Sequence, residues 1–398
     1  MLPKKLVLFG AGNIGRSFIG QLFSRAGYEV VFIDINDAIL EALNTAHQYR
    51  VMIKRNDQPD ETIWVTRVRG VHGQDIAQVS QEIAEASIVA TAVGKGALPH
   101  IIPALAQGLQ RRLDEYGRRP LDIIMAENFR NVADFVRQEL KALLPDEYAL
   151  EALVGLIETS IGKMVPIMRD EDVQHDPVWV FAEEYNQLIL DKRGFKNPIP
   201  DVPGIAPQEN MKAYVDRKLF IHNLGHAATA YLGYQHNPDF EYIYEPLAVP
   251  EIVQTVRACM QQSATALHKE YPADLTMSAL NDHIDDLLYR FQNTALGDTI
   301  FRVGRDLPRK LDKNDRLIGA MFLAKKHECP CDLIAQTVAA AFGFRATDEH
   351  QQLFPMDQKF AEKDYPLGID HILQQTCHLS QENSLEAAVI EEIKKHAT

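Results

Sequence analysis

Lys5-Leu6-Val7-Leu8-Phe9-Gly10-Ala11-Gly12-Asn13-Ile14-Gly15 is the segment that decides the fold. Its first five residues form a short, mostly apolar run typical of a buried parallel strand, and three glycines with GxGxxG spacing follow at once. In such a loop the first glycine permits a tight turn, the second lets the backbone approach a pyrophosphate, and the third lets helix and strand pack closely. The segment therefore predicts a strand, a phosphate-binding loop and a helix.

The next residues complete a dinucleotide-binding unit. Residues 16–26 predict a helix that stops at Gly27, and residues 29–33 predict a second strand that ends in Asp34. A carboxylate at this place accepts hydrogen bonds from the adenosine ribose and repels a 2′-phosphate, which favours NAD over NADP. The predicted cofactor-binding residues of this unit are Gly10, Ala11, Gly12, Asn13, Ile14, Gly15 and Asp34.

Further strands continue the predicted sheet. Alternating segments 49–54 and 62–68 predict an inserted hairpin, and residues 87–94 and 121–126 predict two more parallel strands. Ligands of open α/β sheets bind beyond the carboxyl ends of the strands. We therefore expect Ala92, Val93 and Asn128 to face the cofactor, the alternative for Asn128 being an ordinary helix N-cap.

A proline-rich stretch predicts the domain boundary. Four prolines fall within residues 197–207, and such a segment continues neither a helix nor a central strand. Beyond it, apolar residues recur mostly at helical spacing. We expect an α/β dinucleotide-binding domain with a doubly wound Rossmann sheet at 1–197, a linker at 198–207, and a mainly α-helical substrate domain at 208–398.

One predicted helix of the second domain carries a group of polar residues. Lys218, Asn223 and His226 lie in an otherwise apolar segment, and one broad helix face can present all three. Burying a lysine, an amide and an imidazole together is costly unless each is paired, which favours a site. The alternative is that Lys218 extends to solvent while Asn223 and His226 satisfy helix ends.

A second polar segment, residues 302–316, concentrates cations around glycine and proline turns. Arg305, Arg309 and Lys310 within it suit a phosphate or carboxylate pocket. The alternative is a solvated loop, because Asp306, Asp312 and Asp315 are interspersed among the cations.

Composition excludes several classes of function. A net charge of −14 over 398 residues argues against a nucleic-acid partner, and no apolar run is long enough for a membrane span. The four cysteines lack the paired spacing of a metal site and predict reduced thiols in a cytoplasmic protein. We expect no metal, and the oligomeric state stays open.

Together these motifs resemble the long-chain polyol (mannitol) dehydrogenase family nearly end to end. The most specific matches are residues 9–16, 217–220 with Asn223, 225–227, 229–233, 302–305, 309–311 and 315–318. The resemblance implies that Lys218 is the general base, that Asn223 and Asn128 hold the substrate oxygen, and that His226 orients the substrate. It also implies NAD-dependent oxidation of a sugar-alcohol phosphate, mannitol 1-phosphate, to fructose 6-phosphate.

One position departs from the family pattern. Members usually carry Val-Asp-Arg-Ile before a proline, whereas this chain has Ile161-Gly162-Lys163-Met164. The missing aspartate removes repulsion toward an anionic substrate, which suits a sugar phosphate or a sugar acid alike. The alternative enzymes of the same family are a fructuronate or tagaturonate oxidoreductase and a dehydrogenase of free mannitol. A further alternative, from another class, is a non-enzymatic NAD-binding regulator.

Overall fold

The computed structural model describes residues 4–127, 131–166, 168 and 176–397. The chain forms two compact units, Met1–Met211 and Lys212–Thr398.

The first unit is built on an eight-stranded sheet and a separate three-stranded sheet. The strands are β1 Lys5–Phe9, β2 Glu29–Asp34, β3 Gln48–Lys54, β4 Glu61–Thr66, β5 Val68–His72, β6 Ile88–Thr91, β7 Leu121–Met125, β8 Val154–Ser160, β9 Val180–Glu183, β10 Leu188–Asp191 and β11 Ile205–Gln208. Described helices of this unit are Gly15–Gly20 with Gln21–Arg25, Asp37–Ala46, Ile76–Glu85, Leu98–Tyr116, Val132–Leu143, Leu150–Leu153 and Lys192–Gly194.

The large sheet has the order β11-β10-β8-β7-β6-β1-β2-β5. From β5 to β8 every neighbouring pair is parallel, and the order of these six strands is that of a doubly wound dinucleotide-binding fold. Leu6 and Leu8 of β1 belong to the core on one face, while Val7 and Phe9 belong to the core on the other. A sheet covered on both faces explains why its strands are almost continuously apolar.

The predicted hairpin is present, but its second strand is shorter than expected. β3 and β4 pair antiparallel, and β9 adds to β3 in the small sheet. The prediction that this strand continues to Val68 is wrong, because Arg67 has a left-handed φ of 57° that ends it. Val68 instead opens β5, which joins the large sheet beside β2.

The predicted linker at 198–207 is also partly sheet. β11 pairs with β10, so three of the ten residues assigned to a linker are strand. Pro207 is tolerated because β11 is an edge strand, where a missing backbone N–H is not needed by a second neighbour. The division into compact units falls four residues beyond this stretch, after Met211.

Among the described residues of the second unit there are helices and one isolated β-bridge, between Tyr242 and Thr299. The longer helices begin at recognisable signals: Pro250 is the first residue of one, and the Thr276 side chain caps another by accepting from the Ala279 N–H. The helices are Met211–Arg217, Lys218–Asn223, Leu224–His236, Pro246–Ala248, Pro250–Glu270, Met277–Phe291, Thr294–Leu296, Ile300–Gly304, Leu307–Lys310, Ile318–Lys326, Asp332–Phe342, Pro355–Lys359, Phe360–Asp364, Tyr365–Leu367, Ile369–His371, Ile372–Thr376 and Ser384–Lys394.

Candidate active site

The glycine loop after β1 has the shape that a dinucleotide pyrophosphate requires. Gly10 has a φ of 96°, and a Cβ there would lie 2.5 Å from the Ala92 carbonyl oxygen. A Cβ on Gly15 would lie 2.0 Å from the Gly10 carbonyl oxygen. A Cβ on Gly12, by contrast, would meet nothing within 4 Å. The loop is thus closed at two glycines and open at the middle one, where a phosphate can approach the backbone.

Asp34 lies against this loop at the end of β2. One carboxylate oxygen accepts the Ala11 N–H at 2.6 Å, and the other accepts the N–H groups of Ile35 at 2.7 Å and Asn36 at 3.0 Å. Asn13 is exposed and Ile14 half-buried at the start of the following helix. The residues predicted from the fingerprint therefore lie together, and Asp34 supports the loop through the Ala11 N–H.

Glu127 supports the same edge of the sheet and was not among the predicted site residues. Its buried carboxylate accepts the Val93 N–H at 3.0 Å and the Gly94 N–H at 2.7 Å, which joins the ends of β6 and β7. A carboxylate directly after an apolar strand was the only sequence signal for this role. Asn128, the next residue, lies outside the described residues.

In the second unit, Lys218 and Asn223 begin and end a π-helix. On an α-helix, residues five apart point about 140° away from each other. In the wider i→i+5 geometry of a π-helix, residues five apart lie on nearer sides, so Lys218 and Asn223 share a face more closely than on an α-helix. Short π-helical segments inside longer helices occur frequently at functional sites.

Lys218 has a pKa suited to proton transfer. Burial, and then the positive charge of Arg316, lower its pKa from 10.5 to about 8. A lysine with this pKa is substantially deprotonated in mildly alkaline solution, so it can accept a proton from an alcohol.

His226 follows on the next helix, Leu224–His236, and is also well defined. Its ring stacks on Phe291, with centroids 4.6 Å apart and planes 10° apart, and meets the buried His222 edge-on at 6.1 Å. Burial, and then the charge of Arg302 and its cationic neighbours, lower the pKa of His226 to about 3, so the ring is neutral at pH 7. Its Nε2 lies 3.4 Å from Oδ2 of Asp298, a buried carboxylate that sequence patterns did not indicate.

The three predicted phosphate ligands differ in their surroundings. Lys310 is buried and its ammonium donates to the Arg305 carbonyl oxygen. Burial, then Arg316 and Arg309, lower the pKa of Lys310 to about 7. Arg305 is exposed, with its guanidinium 5.5 Å from the ring centres of Phe301 and Phe354.

Arg309, the third predicted ligand, is exposed and paired with Asp306 at 2.5 Å and Asp315 at 3.5 Å. Arg316 was not among the predicted ligands, yet its charge lowers the pKa of Lys218, His226 and Lys310 alike. Arg316 therefore links the helix that carries Lys218 to the cationic segment.

Other classes of site find no support in the described part of the chain. No group of three or more histidine, cysteine, aspartate or glutamate side chains there is arranged to hold a metal ion. The four cysteines are buried and unpaired. No described helix has the length and apolar character to cross a membrane.

Known proteins share this architecture. The chain is 35% identical over 341 residues to a mannitol-1-phosphate 5-dehydrogenase of Brevibacillus brevis, covering 85% of each chain. It superposes on a D-sorbitol dehydrogenase in substrate-free form with a TM-score of 0.77 at 16% identity, covering 98% of this chain and 93% of that one. The chain also superposes on the ternary complex of Pseudomonas fluorescens mannitol 2-dehydrogenase with NAD and D-mannitol. The TM-score is 0.69 at 16% identity, covering 99% of this chain and 94% of that one.

Both units also match descriptions of protein families. Residues 4–204 match the mannitol dehydrogenase Rossmann domain, and residues 210–395 match the mannitol dehydrogenase C-terminal domain. The Rossmann fold and the resemblance drawn from the sequence motifs are thereby confirmed. The chain belongs to the mannitol dehydrogenase family and is an oxidoreductase.

Proposed function

We propose that this protein is an NAD-dependent dehydrogenase that oxidises mannitol 1-phosphate to fructose 6-phosphate and catalyses the reverse reduction, with Lys218 as general base. The observation that carries the proposal is Lys218 itself, a lysine with a pKa of about 8 on a π-helix shared with Asn223. A neutral lysine beside an amide donor is what alcohol oxidation requires.

The chemistry assigns a role to each side chain. Lys218 takes the proton of the secondary hydroxyl as the carbon–hydrogen bond breaks, and the amide of Asn223 donates to the developing alkoxide. Asn128 is the second proposed donor to that oxygen. Bound NAD supplies the acceptor of the hydride. Neutral His226 offers a ring nitrogen to a neighbouring hydroxyl, which orients the polyol chain.

Cofactor choice rests on the first unit. The open space at Gly12 suits a pyrophosphate. Asp34, the acid at the end of β2, supports NAD because a carboxylate there would repel a 2′-phosphate. The structural relative from P. fluorescens was solved with NAD, which supports the same choice. We propose that Gly10 to Gly15, Asp34, Ala92 and Val93 form the NAD site.

The anionic end of the substrate is assigned to the cationic segment. Lys310, buried and close to the charges of Arg316 and Arg309, gains a counter-ion when a phosphate binds. The exposed guanidinium groups of Arg309 and Arg305, which can each donate two hydrogen bonds to a phosphate, complete the proposed phosphate site. The B. brevis relative, named for a phosphorylated polyol, supports this substrate over free mannitol.

A substrate panel tests the proposal. Mannitol 1-phosphate, free mannitol, mannonate and altronate are each assayed with NAD and NADP, and fructose 6-phosphate, fructuronate and tagaturonate with the reduced cofactors. We expect mannitol 1-phosphate to exceed free mannitol by roughly 2 to 4 kcal/mol in kcat/KM, from lost charge-assisted hydrogen bonds. We also expect NAD to exceed NADP at least about tenfold.

Two variants test the residues assigned to the phosphate and to the cofactor. Arg309→Ala should lower kcat/KM for the phosphorylated substrate alone, and Asp34→Asn should narrow the preference for NAD. Activity confined to a uronate or aldonate, or equal rates on mannitol and its phosphate, would refute the substrate assignment.

A further inference from the structure

Asp298 is a buried carboxylate in the second unit that the proposed mechanism does not use. Its side chain is 4% exposed, and its second oxygen, Oδ1, forms an ion pair with Arg302 on the following helical turn. Its backbone is also fixed, because the Ile243 N–H donates to its carbonyl at 3.0 Å and Tyr242 bridges to Thr299 beside it. The carboxylate is thus paired with a cation, and its backbone is anchored.

Three side chains contact the His226 ring, and Asp298 is one of them. Phe291 covers one face, His222 meets its edge, and Asp298 lies beside Nε2. Nε2 is shielded from solvent and has no aligned hydrogen-bond partner in the described chain, although 18% of the side chain is exposed. The exposed part of the ring is therefore away from Nε2 and Asp298.

The contact between His226 and Asp298 favours one tautomer of the imidazole ring. A neutral imidazole carries a single N–H, and a carboxylate can only accept. The proton is stabilised on the nitrogen that faces the carboxylate, which leaves the other nitrogen as an acceptor. Contacts as long as the 3.4 Å between Nε2 and Oδ2 commonly tighten into hydrogen bonds when a substrate is bound.

We propose that Asp298 is a positioning residue that holds His226 as its Nε2–H tautomer, so that Nδ1 accepts a hydrogen bond from a substrate hydroxyl. Arg302 pairs with the other oxygen of this carboxylate, Oδ1, and is not needed for the tautomer. This inference rests on the proposed function only for the role of His226 toward substrate, since the tautomer is a property of the protein alone.

Nitrogen-15 NMR of the full-length protein with labelled histidine tests the tautomer directly. His226→Gln identifies the signals of His226 by their loss. We expect a protonated Nε2 and an unprotonated Nδ1 between pH 6 and 8 in the wild-type protein. Burial and the positive charges of Arg302, Arg316, Lys310 and Arg290 keep the ring neutral there, against the opposing charge of Asp298 and beside the buried His222. A protonated Nδ1 would overturn the proposal whatever the substrate proves to be.

Two variants separate the contact with His226 from the ion pair. Asp298→Asn preserves shape but offers an N–H as well as an oxygen, so the His226 signals should show the other tautomer or a mixture. Arg302→Met removes the ion pair and should leave the tautomer unchanged. If Asp298→Asn leaves the tautomer unaltered, or if only Arg302→Met alters it, Asp298 is not the group that orients the ring.

A double-mutant cycle connects the tautomer to turnover. On the substrate that the panel identifies, Asp298→Asn should lower kcat/KM roughly 10- to 100-fold, the usual scale for a residue that orients a functional histidine. In a His226→Ala background the same change should have almost no further effect. Full additivity would overturn the proposal. Failure of mannitol 1-phosphate as a substrate would instead count against the proposed function alone.

Discussion

At the residue scale, Lys218 lowers the stability of the folded chain while its side chain is charged. Lys218 is partly buried near the charge of Arg316, so the fold disfavours its charged form and the pKa falls to about 8. A group whose pKa is lowered in this direction destabilises the fold while it is charged. The cost is present in full below pH 8 and disappears as the pH rises toward 10.5.

Replacing this lysine should therefore separate activity from stability. Lys218→Met should lower kcat by about a hundredfold or more, as loss of a general base does, and leave NADH binding unchanged. At pH 7 it should raise the free energy of unfolding, by roughly 3 kcal/mol at most, from a pKa shift of this size. Denaturant unfolding at pH 7 and near pH 10.5 measures this, and the gain should shrink at the higher pH. A variant that keeps most of its turnover would make Lys218 structural.

Arg316 lowers the pKa of Lys218, the proposed general base. Burial lowers the pKa of Lys218 most, and the Arg316 charge lowers it further. The base must be deprotonated, so kcat/KM for alcohol oxidation should rise with pH through about 8. Arg316→Gln should move this rise to higher pH, whereas Arg316→Lys, which retains a charge, should move it less. Superimposable pH profiles of kcat/KM for all three proteins would contradict the assignment.

At the scale of elements, the strand, loop and helix around the three glycines form one structural unit. The adjoining backbone leaves no room for a Cβ at Gly15, whereas the space beside Gly12 is open. The two positions therefore serve different purposes, one in packing and one in ligand approach.

This difference gives a matched pair of variants. Gly12→Ala should fold with an unchanged melting temperature and bind NADH at least about tenfold more weakly, because its methyl group occupies the pyrophosphate space. Gly15→Ala should lower the melting temperature, since its Cβ would lie 2.0 Å from the Gly10 carbonyl oxygen. Melting curves and NADH titration measure both. Normal NADH affinity in Gly12→Ala would place the phosphates elsewhere.

At the scale of the whole molecule, the distribution of charge matters more than its sum. The chain carries a net charge of −14, yet residues 302–316 hold six lysines and arginines against three aspartates. The proposed anionic substrate would be repelled by the net charge at long range and attracted by this segment at short range.

Ionic strength should therefore distinguish phosphorylated from free substrate. Salt weakens charge-assisted contacts, and the Debye length falls from about 30 Å at 0.01 M to about 10 Å at 0.1 M. We expect the KM of mannitol 1-phosphate to rise several-fold over this range while that of free mannitol stays nearly constant. Steady-state assays at fixed pH measure both. A KM for mannitol 1-phosphate that is independent of salt would remove the cationic segment from substrate binding.

The sequence by itself determined the features that neighbouring residues encode. Continuous apolar runs predicted the Rossmann strands, and the glycine spacing predicted the phosphate loop. An alternating pattern predicted the hairpin, and helical periodicity predicted a helical second half. The grouping of Lys218, Asn223 and His226 was visible because all three lie within nine residues of one segment. These are short-range signals, and backbone geometry translates them into local structure.

Only the tertiary structure decided features that depend on residues far apart in the chain. The left-handed Arg67 that sends the chain from β4 into β5, and the entry of β11 into the sheet, depend on strands that come from elsewhere in the sequence. Burial of Lys310 and the meeting of Asp298 with His226 likewise follow from packing between distant helices. Burial and Coulomb interactions act through space, so the lowered pKa of Lys218 and the orientation of His226 could not be read from spacing along the chain.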